Sequence, residues 1–338
     1  MRVLYLSPGH PSHDARFMEA IRALGHEPIL AIIGAPIDLA RAAERERPDV
    51  IHAGPLDTVA RWATEAGARP LVSSSWGYDL LTPGEGSDLQ AATTTLAGTD
   101  VLLVDCEAAQ AVAVSLGMAV ERIIELPWGA DLERFRPPDA SSRLAAREAL
   151  GWNDATIVVS ARAHEPIYGV DVAISGFLLA ARSDPSLHLA IAGDGSLRPS
   201  LEALVGRSDV AERVRFVGRL DSAALARLLM AADLYVSPSH TDGSSVTLLE
   251  AMASGVPCVV SDIPGNQEWI SPGQAGDQFR DGDPVGLAAA ISRLAASPRT
   301  RATMGHAARQ IVEERADWVR NRRRLDDAYD MAVRHAGT

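Results

Sequence analysis

The chain has 338 residues, 47% hydrophobic and 22% charged, and a formal net charge of −12 at pH 7. That length provides for two domains and a large core, which excludes a staple-dependent miniature fold, and the composition excludes a disordered or fibrous chain. The acidic balance argues against nucleic acid or an anionic membrane surface as the main partner, and all 32 basic residues are arginine, so a Walker phosphate loop, a protein-kinase site, a Schiff-base aldolase and a pyridoxal-phosphate enzyme, each of which needs a lysine amine, are excluded.

The first apolar run, residues 2–7 (RVLYLS), is strand-length without a cleavable signal layout, and no later run approaches the roughly 18 residues of a membrane span, so a cytoplasmic protein is expected. His10 and His13 lie in the loop that follows it. Amphipathic stretches at 15–25 and 38–48 read as helices, and short apolar runs at 28–33, 49–54, 70–75, 100–105 and 122–127 read as strands. This alternation is the pattern of a parallel sheet covered on both faces. Trp76 and Asp79 follow the run at 70–75.

The cluster of Pro137, Pro138, Ser141 and Ser142 marks a boundary, giving a first domain over 1–137. Beyond it the pattern restarts, with strands at 156–161, 187–193, 213–218, 234–239 and 257–262. The second domain is read as 138–315, followed by a closing helical segment, 316–338, that carries Trp318, Leu325, Tyr329 and Val333 at helical spacing. Two consecutive doubly wound domains place a ligand at the carboxyl ends of the strands, in the cleft between them. Cys106 and Cys258 sit in apolar strand-like stretches and are expected as buried, reduced thiols. The pair Asp281 and Asp283 in RDGDP reads as a turn with helix capping rather than a metal ligand set, and no other plausible metal constellation is found.

The most informative stretch is 234–270. A strand ends near Pro238, and a polar loop leads into a helix whose first turn is read as Ser245, Val246 and Thr247. Free amides at such a start, with the helix dipole behind them, form a site for a phosphate or pyrophosphate; equally, Asp242 and Ser244 could simply cap a helix on which Glu250 is exposed. In the first reading Glu250 accepts hydrogen bonds from both hydroxyls of a ribose, and Asp242, eight positions earlier, faces the sugar beyond the phosphates.

Asp242, Glu250, Ala251, Met252, Ala253, Gly255 and Pro257 together resemble the signature of retaining glycosyltransferase family 4, in which two glutamates separated by seven residues precede an Ala-Met-Ala-x-Gly-x-Pro run. The resemblance extends through Gly129, Asp131, Phe135 and Pro137, through Arg162 and Gly169, and through Gly193, Asp194 and Gly195. It covers nearly all of the second domain specifically and the first loosely. It implies an α/β GT-B fold: two Rossmann-like doubly wound domains facing a cleft, the first binding the acceptor and the second the nucleotide sugar, with the closing helix crossing back to the first.

The resemblance further implies that Arg162 binds the diphosphate, Glu250 the ribose, and Gly243, Ser244, Ser245, Val246 and Thr247 surround the sugar and phosphates, with Gly9 approaching the donor and Leu220 beside the base. His10, His13, Trp76 and Asp79 are the acceptor-side candidates, and His164 and His240 lie in loops near the proposed phosphates. Three positions depart from the family pattern: Asp242 for the first glutamate, Tyr168 where a lysine usually contacts the diphosphate, and Trp76 where many relatives carry an active-site histidine. The expected activity is a metal-independent, cofactor-free, retaining transfer from a nucleoside diphosphate sugar, UDP first and GDP next, to a small soluble acceptor, with Arg162, Asp242 and Glu250 as the catalytic set. A non-catalytic nucleotide-sugar binder or partner subunit is the alternative, made thinkable by the changes at 76 and 168.

Overall fold

A computed structural model describes residues 1–82 and 87–337, which divide into two compact units: Met1–Trp128 with Val319–Thr338, and Gly129–Trp318. In the first unit, strands β1 (Arg2–Ser7), β2 (Glu27–Ile32), β3 (Val50–Ala53), β4 (Leu71–Ser74), β5 (Val101–Val104) and β6 (Ile123–Glu125) form a six-stranded sheet in the order β2-β1-β3-β4-β5-β6. Every pairing in it is parallel. The side chains of Leu4 and Leu6 enter one apolar core with Ile51 and Ala53, whereas Tyr5 lies against the rings of Phe17 and His52. This is the alternation that a strand buried on both faces requires.

The second unit contains β7 (Thr156–Ala161), β8 (Leu187–Ala192), β9 (Val214–Gly218), β10 (Leu234–Ser237), β11 (Cys258–Ser261) and β12 (Gly276–Phe279), ordered β12-β11-β10-β7-β8-β9. These pairings are also all parallel. Counted within the unit, this is the 3-2-1-4-5-6 order of a dinucleotide-binding sheet, with its switch point between β7 and β10. Ile157, Val159 and Ala161 face one core and Val158 the other, so β7 is buried on both sides. The first sheet, by contrast, runs 2-1-3-4-5-6, with its switch between β1 and β3.

The structure corrects the sequence reading of the fold in three places. Strand β12, sequence GDQF, carries no apolar run because it is an edge strand, and periodicity alone passes over it. The first unit ends at Trp128 rather than at 137, because 129–137 packs with the second unit: Ala130 bridges Asp317, Phe135 lies in that unit's core, and Arg309 donates to the Phe135 carbonyl at 2.7 Å. Likewise the return to the first unit begins at Val319 rather than 316.

The closing helix, Arg324–Ala336, belongs to the first unit and buries Leu325, Ala328, Tyr329 and Ala332. Tyr329 joins its hydroxyl to His52 Nδ1 at 2.9 Å, and the other ring nitrogen of His52 pairs with Ser74 Oγ at 2.6 Å. Among the described residues no helix is long and apolar enough to cross a membrane. Cys106 and Cys258 are both buried, and neither is in a disulfide among the described residues.

Candidate functional site

At the switch point of the second sheet, the chain leaves β7 at Ala161 and presents Arg162. Gly193, at the end of β8, has φ +125°, and a Cβ there would stand 2.0 Å from the Arg162 carbonyl oxygen, so only glycine lets the two strand ends run this close. The Arg162 guanidinium is held on three sides. Nη2 donates to the Asp242 carboxylate, and Nη1 donates to Ser245 Oγ and, at 3.4 Å, to Thr247 Oγ1. Its carbon lies 4.3 Å above the Tyr168 ring centre. Burial works against the charge of Arg162, but Asp242 together with Tyr168 and Tyr235 more than offsets it and raises its pKa. Nε has no hydrogen-bond partner among the described residues.

Tyr168 is fixed by its neighbour. Gly169 has φ +57°, and a Cβ on it would meet the Pro238 carbonyl oxygen at 2.2 Å. The 3-10 turn Pro166–Tyr168 is thereby pressed against the end of β10. Burial raises the Tyr168 phenol above its ordinary pKa, so it faces Arg162 as a neutral ring. The contact is made by the ring face, as a cation over an aromatic quadrupole.

The helix after β10 runs Val246–Ala253, with Ser245 at its N-cap position. The Ser245 side chain makes no capping bond and instead meets Arg162. Thr247 donates to the Ala161 carbonyl at 2.9 Å and pairs with the Tyr235 hydroxyl at 2.7 Å, which ties the first helical turn to β7. Ser244 accepts from the Trp269 indole at 2.9 Å. A Cβ on Gly265 would stand 2.4 Å from the carbonyl oxygens of both Asp242 and Gly243, so the loop rests on bare backbone. Glu250 is buried at 7% exposure, which sets aside the reading of an exposed helical glutamate. Asp242, Gly243, Ser244, Ser245, Val246, Thr247 and Arg162 thus form one cluster, with Glu250 on the same helix.

Leu220 follows β9, on the wall of an apolar cavity of about 380 Å³ between helices Ala140–Leu150 and Ser222–Ala231. His164 is fully buried beside Phe216, and burial lowers its pKa, so it is a neutral interior imidazole and not an exposed loop histidine. His240 Nδ1 lies 2.7 Å from Asp281, while Asp283 caps the helix Pro284–Ala295 by accepting from Val285 N–H at 2.9 Å.

In the first unit, Gly9 has φ +94° and donates its N–H to Ser7 Oγ at 3.0 Å, turning the chain out of β1. The rings of His10 and His13 stack 4.8 Å apart, and both stand edge-on to Trp76, at 5.2 and 4.8 Å. Trp128, which the sequence reading did not single out, completes the cluster 4.6 Å from His13. Its only signal is an aromatic just past β6. Trp76 is 8% exposed and offers a wall rather than a proton.

Asp79 serves the loop that carries Trp76. It accepts from Leu56 N–H at 2.8 Å, Ser75 Oγ at 2.6 Å and Trp76 N–H at 3.1 Å, which braces the loop beyond β4. Burial lifts its pKa to about 6. It nevertheless borders a cavity of about 310 Å³ with Asp57, Arg61, Tyr78, Thr82 and Asp88, a polar pocket to which no sequence pattern pointed.

Residues 154–297 match the family described as Glycosyl transferases group 1. A GDP-mannose-dependent alpha-(1-6)-phosphatidylinositol monomannoside mannosyltransferase of Mycolicibacterium smegmatis is 31% identical over 279 residues, 79% of this chain and 71% of that protein. The chain belongs to the group 1 glycosyltransferases. A Corynebacterium glutamicum GDP-mannose-dependent mannosyltransferase that acts on the monoacylated form is 29% identical to this glycosyltransferase over 277 residues, 79% of this chain and 71% of that enzyme. Among solved structures, Anabaena Alr3699/HepE in complex with UDP-glucose superposes with a TM-score of 0.83 at 20% identity, covering 98% of this chain and 99% of that one. That likeness establishes the two-domain GT-B fold. For a glycosyltransferase, the arginine fork at the start of a helix is an arrangement that can neutralise a departing anion.

Proposed function

We propose that this glycosyltransferase is a retaining enzyme of family 4 that moves a hexose from a nucleoside diphosphate sugar to a small soluble acceptor without a metal. The observation that carries the reading is Arg162, poised at the start of the helix Val246–Ala253 with Asp242 and Ser245 around it. In this reading Arg162 and the helix amides take the charge that develops on the diphosphate as the bond from the anomeric carbon to phosphate oxygen breaks. The acceptor hydroxyl attacks from the same face, and its proton passes to the departing phosphate. Asp242 then supports the sugar as it becomes cationic, Glu250 accepts from the ribose hydroxyls, and Leu220 lies beside the base.

UDP headed the expectation for the donor, and the names of the two mannosyltransferases bring GDP in beside it. On the acceptor side His10, His13 and Trp76 supply an aromatic wall, and the polar cavity beside Tyr78 and Thr82 has room for a compound of monosaccharide size. Thermal shifts with UDP, GDP, ADP and TDP test the donor base, since a ligand that binds the folded state raises the melting temperature. NMR of the product formed in EDTA tests the rest. The expected product keeps the donor's anomeric configuration, and an inverted linkage or loss of activity with the chelator overturns the mechanism.

A further inference from the structure

Under the donor-site reading Arg162 grips a diphosphate, yet its guanidinium already holds an anion, the Asp242 carboxylate. The pair is withdrawn from solvent, with 8% of the Arg162 side chain and 14% of the Asp242 side chain exposed. Three constraints keep the fork where it is. The Tyr168 ring covers one face at 4.3 Å, Ser245 and Thr247 occupy Nη1, and Gly169 locks the turn that carries Tyr168. The N–H of Nη2 that points at the Asp242 carboxylate cannot point at a phosphate oxygen at the same time, because planar guanidinium donors have fixed directions. Two anions side by side on one cation also repel each other.

We propose that Asp242 is a stand-in anion: it holds Arg162 in place while the donor site is empty, and the incoming diphosphate displaces it, which frees the carboxylate to face the sugar. The inference rests on the donor-site reading. It makes Asp242 a positioning residue for Arg162 before it touches substrate, and it couples occupation of the phosphate site to recognition of the sugar. Because the replacement is one anion for another, nucleoside diphosphate affinity is held down by a contact within the protein itself.

Isothermal titration with UDP and GDP, together with turnover at saturating donor, tests this in Asp242→Asn, Asp242→Ser and Asp242→Glu. The expected result is that Asn and Ser bind the nucleoside diphosphates about tenfold more tightly than the parent, on the scale of one charge-assisted hydrogen bond released, while turnover falls by about a hundredfold. Asp242→Glu, which keeps the charge, retains the parent affinity. A merely structural carboxylate would weaken binding and turnover together. Unchanged or weaker nucleotide binding in folded Asn and Ser variants overturns the proposal, provided Arg162→Ala loses binding; if Arg162→Ala binds like the parent, the donor-site reading falls and this inference with it.

Discussion

Arg162 and Tyr168 meet through a guanidinium stacked on a ring, 4.3 Å apart, and that geometry decides what each atom of Tyr168 contributes. The hydroxyl is not among the groups bonded to Arg162, so its removal leaves the stacking intact. Tyr168→Phe is therefore expected to keep turnover within about threefold, whereas Tyr168→Leu, which loses a cation–π contact in a site closed to water, is expected to lower it about tenfold or more. Steady-state kinetics of both variants at saturating donor checks this, and equal losses in the two would assign the effect to the hydroxyl. In a chain without lysine, the ring stiffens the arginine proposed to grip the diphosphate rather than replacing a second cation. The pattern from Asp242 to Pro257 could be read from the residues alone because spacing along one loop and helix is local information. The pairing of Arg162 with Asp242 spans 80 positions, and the identity of Tyr168 alone does not say whether ring or hydroxyl faces the cation.

Among the elements, the closing helix depends on a contact that no periodicity announces. Leu325 and Tyr329 at helical spacing gave the helix its apolar face, but the partner of Tyr329 is His52, 277 positions away on β3. His52 is completely buried, and burial lowers its pKa to about 3. Its ordinary value is about 6.5, so between pH 6.5 and pH 3 the unfolded chain binds a proton that the folded chain refuses. Stability contributed by neutral His52 is thus complete above pH 6.5 and is lost as the pH falls toward 3, at about 1.4 kcal/mol per pH unit. Asp79 acts in the opposite sense over pH 3.8 to 6, where the folded chain holds the extra proton, so the parent's profile is partly flattened in that window. His52→Gln keeps Asp79 and removes the histidine, so the comparison isolates one slope. The variant is expected to be less stable than the parent at pH 7.5, with a gap that narrows by about 1 to 2 kcal/mol at pH 5. Calorimetry of the first unit's transition at the two pH values measures it, and a gap that does not change with pH would mean that His52 is not held neutral. The strands themselves were readable because parallel sheets buried on both faces need near-continuous apolar runs, and β12 escaped because an edge strand does not.

On the scale of the whole molecule, the two units differ in how the chain builds them. Residues 129–318 form an uninterrupted segment with two apolar cores of their own, whereas the first unit is assembled from both ends of the chain. The prolines and serines near 137 suggested a domain boundary there, yet the segment before them is anchored in the second unit by Phe135 and by the bridge from Ala130 to Asp317, contacts that composition does not reveal. The segment Gly129–Trp318, produced alone, is therefore expected to fold cooperatively and to bind UDP or GDP within about threefold of the full chain if the donor groups lie in that unit. The complementary truncation, a chain ending at Trp318, removes Leu325 and Tyr329, both fully buried, from the first unit. Burial of each such side chain contributes about 1.5 to 3 kcal/mol, and their loss also leaves His52 without its hydroxyl partner, so the sum approaches the entire stability of a small domain. Calorimetry of the truncated chain should then show one transition, that of the second unit, with nucleotide binding retained and transfer abolished. Two intact transitions would show that the closing helix is an ornament of the first unit rather than part of its core.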